Sequence, residues 1–483
     1  PSKELFDQEP IACYHCNEGQ FEHDEAQDEQ EKDTHWPSHV LPSLREWQEL
    51  WKSWDLVTQH MVDHKKMLFE RPIALRHPFI FYLGHIPGFL DIQLSRNQVD
   101  KELGDTDLTE PKHFADIFER GIDPDMDDPT QCHPHSEVPK CEADWPSVES
   151  ILAYQSSVRQ RLERLLLFWE SEAFKSQSTT WMDSRRREAR IVWMCFEHEA
   201  MHLETLLYML IQSPNIQPPK NVATPSWKLF AHQHQPLKPL AEAAFLKIPS
   251  GPVVLGQSYS ESHDYETTTS SDLIQFGWDN ESPARQVQVD EFEIQTRPVT
   301  NGEYHAYLQE TGLNVMPASW SKDKDNNLFV KTVFGPCPFA HAQHWPIQLS
   351  YNEAKSYATS KGARLPTESE LVRFRQLASS MSDWNTKWAN IGFDNWSPTD
   401  VTNDQLHNLG DVWEWTETIW DAHDGFESST IYPGYSADFF DGKHRVVLGG
   451  SWATHPRIAE RTTFRNWYQS GYPYVFSGFR LCH

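Results

Sequence analysis

Four long stretches of the chain place apolar residues three and four positions apart. They are "LPSLREWQELWKSWDLVTQHM" (41–61), "HPFIFYLGHIPGFLDIQLSR" (77–96), "WPSVESILAYQSSVRQRLERLLLFW" (145–169) and "RRREARIVWMCFEHEAMHLETLLYMLIQ" (185–212). That spacing predicts four long helices, and four such helices suggest an up-and-down bundle. Between the second and third, the Pro- and Asp-rich run "FERGIDPDMDDPTQCHPHSEVPKCEADWP" (118–146) is a long connection of the kind that shapes the rim of a site. Four prolines in "IQSPNIQPPKNVATPSW" (211–227) end the helical pattern. Past residue 240 the pattern changes to short β-like runs, "FLKIPSGPVVLG", "RQVQVDEFEIQTRPVT" and "HRVVLGGSW", separated by Gly, Pro and Asn turns. Two short helices, "NGEYHAYLQETG" and "SYNEAKSYATSKG", interrupt them. The expected organisation is an acidic, flexible segment at 1–39, a helical bundle at 40–235 and an irregular α+β domain at 236–483.

Length agrees with two domains, since 483 residues exceed one typical core. A formal net charge of −28 repels phosphate backbones and anionic membrane surfaces, so nucleic acid is not an expected partner. No apolar run is long enough to span a bilayer. Seven cysteines at irregular spacings, with no secretory apolar segment, argue against a disulfide framework and for a reducing, cytoplasmic setting. Cys13 and Cys16 form one isolated C-x-x-C in polar surroundings and read as a loop fragment. The run "FEHDEAQDEQEKDTH" (21–35) has almost no apolar anchors and is expected to be solvated and mobile. The chain starts at Pro1 without Met, as expected either of a trimmed chain or of one part of a longer polypeptide. A 13% aromatic content with twenty Trp favours a loop-rich second domain pinned by aromatic packing and able to form a pocket.

The candidate chemistry begins with His198, Glu199 and His202, which spell H-E-x-x-H, the pattern of helical zinc peptidases. Histidines at i and i+4 project from one helix face, roughly 6 Å apart at Cβ, and can hold one ion. Two of twenty-four histidines also fall four apart by chance. The continuation "LETLLYMLIQ" lacks the Gly and third His of the long zinc-peptidase motif, and no later helix is expected to carry a third ligand. His85, in the apolar run "FYLGHIPGFLDI", is the candidate third imidazole from a facing helix, although a lone histidine there is more often a core residue. Three neutral imidazoles leave up to three adjacent positions open on an octahedral ion, which suits non-heme Fe(II); the pattern alone also admits zinc.

Five runs, "RPVTNGEYHAYLQETG", "PIQLSYNEAKSYATSKGARLPTESEL", "NLGDVWEWTET", "RVVLGGSWAT" and "FSGFRLC", resemble in order the motifs of the formylglycine-generating-enzyme-like domain, a C-type-lectin-related fold. Joined to a bundle with "GHI" and "HEAMHLE", the chain looks like the ergothioneine-biosynthetic non-heme iron sulfoxide synthases over residues 40–483. "HPFIFYLGHIPGFLDI" and "IFERGIDPDMDDP" look most like the fungal bifunctional enzymes, in which a methyltransferase domain usually precedes this portion. The resemblance implies a DinB-like four-helix bundle, Fe(II) held by His85, His198 and His202, and O₂-dependent joining of cysteine sulfur to C2 of the hercynine imidazole as a sulfoxide. It makes Tyr432 the proton donor and Tyr435 a substrate-contact partner. Asn466 and Trp467, with Tyr468 beside them, would line the betaine site, where aromatic faces stabilise a trimethylammonium. Trp413 and Trp415 would be structural. Glu199 becomes either structural or, alongside Glu204, a residue of the kind that orients a ligand imidazole through its other N–H.

Arg120 is a candidate for the donor carboxylate. Relatives that use γ-glutamylcysteine carry charged groups in the region from Trp467 to Phe479, which here has none, and this favours free L-cysteine. Met201 stands where bacterial relatives can have Gln before the second histidine of the pair. The rival readings are an ovothiol-type synthase acting on histidine, an H-E-x-x-H zinc hydrolase, and a non-catalytic lectin-like module.

Overall fold

The periodic stretch beginning at residue 41 becomes helix α1 (Leu44–Leu56), and side chains set its start. Ser43 Oγ accepts from the Glu46 amide at 3.3 Å while Glu46 Oε2 accepts from the Ser43 amide at 2.8 Å, satisfying amides that a helix start leaves unpaired. The computed structural model describes residues 41–119, 138–176, 184–225, 240–265, 276–378, 385–386 and 389–483. The acidic run at 21–35, Cys13, Cys16 and Arg120 lie outside the described residues, as does the expected boundary at 235.

α1 continues into a π turn at Val57–Met61. Then follow α2 (Phe79–Arg96), the short α3 (Phe114–Phe118), α4 (Val148–Ser176) and α5 (Arg186–Leu210). The bundle expected from periodicity is present, with α2 at its centre. Every residue of α2 from Phe79 to Leu94 is buried, because the helix packs on α3, α4 and α5 at once. A helix that is apolar on all sides can be stable only in such a position. Its one acid, Asp91, is compensated: Arg161 of α4 reaches it at 2.9 Å and Asp100 at 2.5 Å, and Tyr154 donates to it at 3.1 Å.

Beyond residue 240 short strands replace helices. β1 (Phe245–Ile248) and β2 (Gly251–Leu255) do not pair with each other; β2 pairs with β3 (Arg285–Val289) and β1 with β4 (Phe292–Gln295), both antiparallel. α6 (Asn301–Thr311) is capped by Thr300 with Glu303 and stops at Gly312, whose φ of 67° favours glycine. A meander of β5 (Trp320–Lys322), β6 (Leu328–Thr332) and β7 (Gly335–Pro338) follows. α7 (Tyr351–Ser360) carries the same kind of cap, Ser350 with Glu353. Helix α8 (Glu368–Ala378) has no counterpart among the elements expected from periodicity. β8 (Asn385–Thr386) and β9 (Gln405–Leu406) pair in parallel.

The sheet that positions the site has the order β12 (Asn466–Gln469), β11 (His444–Gly449), β10 (Trp413–Ile419), β13 (Ser477–Gly478). In β10, Trp413 to Thr416 are all buried, so this strand is covered on both faces. Glu414 within it is held by Arg480 at 2.9 Å and Arg375 at 2.9 Å, which keep its carboxyl down at about 2 despite burial.

Two glutamates on α5 join the bundle to this sheet domain. Glu197 accepts from Trp193 and Trp278, each at 2.8 Å, and pairs with Arg461 at 2.8 Å. Seven residues later, on the same helix face, Glu204 accepts from Trp413 at 2.9 Å, Ser451 at 2.7 Å and Thr454 at 2.8 Å. Each buried carboxylate thus has donors enough to offset its desolvation. α5 is pinned at two points, and His198 and His202 lie between them.

Candidate metal centre

His85 on α2 and His198 and His202 on α5 come together, with one potential ligand atom from each lying within 4.8 Å of the others. Ring centroids are 5.1 Å apart for His85 and His198, 4.9 Å for His85 and His202, and 4.5 Å for His198 and His202. His85 Nδ1 lies 2.7 Å from the Phe118 carbonyl oxygen. A carbonyl only accepts, so Nδ1 carries the proton and Nε2 keeps its lone pair for an ion.

Phe118 reaches that position because α2 has glycines there. A Cβ on Gly84 would lie 2.5 Å from Phe118 Cε1, and one on Gly88 3.0 Å from Phe118 Cβ. The two glycines, one turn apart, form the groove that receives the ring. Phe81 stacks on His85 at 5.1 Å and Phe89 on His198 at 3.8 Å. Burial, with the neighbouring imidazoles next, pushes His198 well below its ordinary value. Burial, then His85 and the Arg76 charge, does the same for His202. These two imidazoles are therefore neutral, the state in which they bind metals. His202 Nδ1 is moreover buried with no hydrogen-bond partner among the described residues. A fixed tautomer, neutral rings and an orphaned ring nitrogen fit a divalent transition metal.

Glu199 does not face this cluster. It is buried beside Arg159, 3.9 Å away, and burial pushes its carboxyl up to about 7. A peptidase base would have to stand over the metal, so its position argues against the zinc-hydrolase reading. Of the two roles open to Glu204, its contacts fit the structural one: its oxygens take donors from Trp413, Ser451 and Thr454 rather than from a ligand imidazole. Trp415 is structural as expected, fully buried with its indole N–H on the Leu349 carbonyl at 2.8 Å.

The three histidines open onto a cavity of about 220 Å³ between bundle and sheet domain. Tyr432, Tyr435, Asn466, Trp467 and Tyr468 all line it. Tyr432 lies 5.3 Å edge-on to Phe89, the ring that stacks on His198. Its loop is tethered by Glu261, which accepts from Ser429 Oγ at 2.8 Å, and by Ser429 Oγ, which accepts from the Tyr432 amide at 3.1 Å. Gly434, at φ 81°, turns the chain between the two tyrosines. Tyr435 stacks on Trp278 at 3.9 Å and points its hydroxyl at Met201 Sδ, 3.9 Å away. Burial raises its phenol well above the ordinary range.

Asn466 Nδ2 donates to Tyr468 Oη at 3.2 Å, and Trp467 is stacked on Trp420 at 4.1 Å. Arg120 lies outside the described residues. Arg76, Tyr82, Tyr208, His444 and Tyr472 also line the cavity without having been expected there. None has a local sequence signal, since each arrives through tertiary packing. Among the described residues no helix is long and apolar enough to cross a membrane.

Comparison with known proteins gives this geometry a family. Residues 45–206 match the DinB superfamily, and residues 232–483 match the sulfatase-modifying factor enzyme 1-like domain. "Ergothioneine biosynthesis protein 1" of Neurospora crassa is 37% identical over 92% of this chain and 58% of its own length. The protein of the same name from Schizosaccharomyces pombe is 36% identical over 92% of this chain and 56% of its own. "Hercynine oxygenase" of Mycolicibacterium smegmatis is 32% identical over 48% of this chain and 60% of its own. The chain thus spans somewhat more than half the length of these curated relatives. With the sulfatase-modifying factor domain covering more than half of its residues behind a DinB bundle, the chain belongs to the sulfatase-modifying factor enzyme 1-like family.

Proposed function

We propose that this chain is an Fe(II)- and O₂-dependent sulfoxide synthase that joins L-cysteine to C2 of the hercynine imidazole. The observation that carries the reading is the placement of His85, His198, His202 and Tyr432 on one cavity, in a chain whose relatives are named for ergothioneine biosynthesis and hercynine oxygenation. The working division is a bundle at 40–235 that holds the metal and a second domain at 236–483 that supplies the substrate walls.

The overall reaction balances without an external reductant. Forming the C–S bond removes the thiol hydrogen and the C2 hydrogen, and oxidising sulfur to sulfoxide removes two further electrons. These four electrons reduce one O₂, of which one atom stays on sulfur and the other leaves in water. Fe(II) held by the three imidazoles would supply the one-electron chemistry and a common attachment point for sulfur and O₂.

The chain's own residues do the rest. Phe81 and Phe89, packed on His85 and His198, exclude water and fix the ring planes. Tyr432, beside Phe89, holds the proton at Oη that the reduced oxygen requires. Trp467, Tyr435 and Tyr468 present aromatic faces to the trimethylammonium, which needs no counter-charge there. The lack of charge between Trp467 and Phe479 suits free cysteine as donor.

Direct competition tests the choice of acceptor. Protein loaded with Fe(II) and given cysteine, O₂ and equal hercynine and histidine is expected to consume hercynine. Preferential consumption of histidine would replace this reading with the ovothiol-type one.

A further inference from the structure

Two carboxylates hold the loop that carries Tyr432. Glu261, at the start of a 3-10 turn (Glu261–Tyr265), accepts from Ser429 Oγ at 2.8 Å, from the Thr430 amide at 3.1 Å and from Thr430 Oγ1. Ser429 Oγ extends the contact by accepting from the amides of Ile431 and Tyr432, each at 3.1 Å. Asp279 accepts from the Ser429 amide at 3.3 Å and, beyond the two tyrosines, from Ser436 Oγ at 2.5 Å. The segment 429–436 is therefore anchored at both ends.

Glu261 differs from Asp279 in having a partner on the helix that carries the histidine pair. Arg187 of α5 donates from Nη1 to Glu261 Oε1 at 3.0 Å and from Nη2 to Thr430 Oγ1 at 3.1 Å, and its guanidinium carbon lies 5.5 Å from the Tyr265 ring centroid. About three helical turns separate Arg187 from His198, so the two share one face of α5. Burial opposes the Glu261 charge, but the bonds from Thr430, Ser429 and Arg187 hold its carboxyl below the ordinary value. Its bonds to the loop are thus of the stronger, charge-assisted kind. Neither Arg187 nor Glu261 lines the cavity, so any effect they have on the reaction passes through the loop.

We propose that Arg187 and Glu261 are positioning residues for Tyr432, tying its loop to the helix of His198 and His202 and so fixing where the phenol stands relative to the metal cluster. The inference rests on the role given to Tyr432 above. A proton donor works only within hydrogen-bond reach of the atom it serves, and a displacement of about 1 Å can cost about 100-fold in rate. Because α5 is itself pinned by Glu197 and Glu204, the pair extends one rigid frame from the metal ligands to the tyrosine.

The test gives the full chain Fe(II), hercynine, L-cysteine and O₂, and reads the ratio of sulfoxide adduct to cysteine sulfinate by mass spectrometry. The sulfinate carries both atoms of O₂ on the cysteine sulfur and needs no other reactant. Glu261→Ala is expected to lower the ratio by about 10–100-fold, with Fe(II) affinity and anaerobic binding of both substrates at wild-type values. Glu261→Gln, which keeps an acceptor for Thr430, should recover part of the loss. Arg187→Met should shift the ratio the same way, and it carries the test if Glu261→Ala does not fold. Added to Tyr432→Phe, either substitution should change nothing further, since a residue acting only through that hydroxyl has no effect once the hydroxyl is gone. A wild-type ratio in either folded variant, a loss of substrate binding in step with the ratio, or an additional loss on top of Tyr432→Phe would overturn the assignment. A wild-type ratio in Tyr432→Phe itself would instead overturn the reading of that tyrosine.

Discussion

Gly84→Ala isolates the contact that orients His85. The added Cβ would lie 2.5 Å from Phe118 Cε1, and ordinary carbon contacts begin near about 3.5 Å, so the ring must retreat by about 1 Å. The Phe118 carbonyl belongs to the same residue and accepts from His85 Nδ1 at 2.7 Å. A comparable shift takes that bond to roughly 3.7 Å, beyond a hydrogen bond's reach. Overpacking costs about 1–3 kcal/mol, while replacing a helical glycine returns about 0.5–1 kcal/mol. The net loss of stability is therefore about 0–2.5 kcal/mol. Metal affinity should fall by about 10–100-fold, as for loss of a partner that orients a ligand. Affinity, not stability, is the diagnostic, measured by anaerobic Fe(II) titration against a competing chelator alongside urea unfolding of the metal-free protein. Gly88→Ala, with its Cβ at 3.0 Å from Phe118 Cβ, should show a smaller effect in the same direction. Wild-type Fe(II) affinity in Gly84→Ala would refute the argument that the Phe118 carbonyl sets the His85 tautomer.

Tyr432→Phe should retain iron yet lose most sulfoxide formation, with cysteine diverted to simple dioxygenation; product yield by mass spectrometry at wild-type level would remove Tyr432 from the mechanism. Trp467→Leu should raise the hercynine KM by about 3–30-fold, the range of a cation–π contact, with little change in the cysteine KM. Glu414, held at about 2 by Arg480 and Arg375 against an ordinary 4.5, contributes stability that is complete above pH 4.5 and lost as pH falls toward 2. Glu414→Gln should cost about 3–5 kcal/mol at pH 7, as expected when one partner of a buried ion pair is removed, and should flatten that acid limb in denaturant titrations at several pH values.

What could be foreseen from the chain follows from how local each signal is. The bundle helices carry their period in their own residues, and the caps at Ser43, Thr300 and Ser350 lie next to the helices they start. The histidine pair is local as well, since four residues on one helix fix its geometry. The candidate metal centre becomes specific only when α2 brings His85 across, which bundle packing made possible and the motif resemblance made an expectation. The Phe118 carbonyl is a backbone acceptor 33 residues from His85, and no side-chain pattern encodes it. Arg76 stands in the turn "RPIALRHP", which carries no binding pattern of its own until Tyr208 and Tyr472 arrive from elsewhere in the chain. Glu204, with a place beside an imidazole as one of its two expected roles, shares a helix face with Glu197, and the partners of both come mainly from residues 278–461. β1 and β2 are adjacent in sequence, yet each pairs with a strand beyond residue 284, a choice set by the assembled domain.

The central claim is tested most directly by reconstituting the chain with Fe(II) under anaerobic conditions, adding hercynine and cysteine, and admitting ¹⁸O₂ before mass spectrometry. The account predicts a single adduct with sulfur on the imidazole and one ¹⁸O on that sulfur, formed without added reductant and absent when His85, His198 or His202 is replaced by alanine. Absence of the adduct from the wild-type, iron-loaded chain, or its formation at full yield without iron, would contradict it.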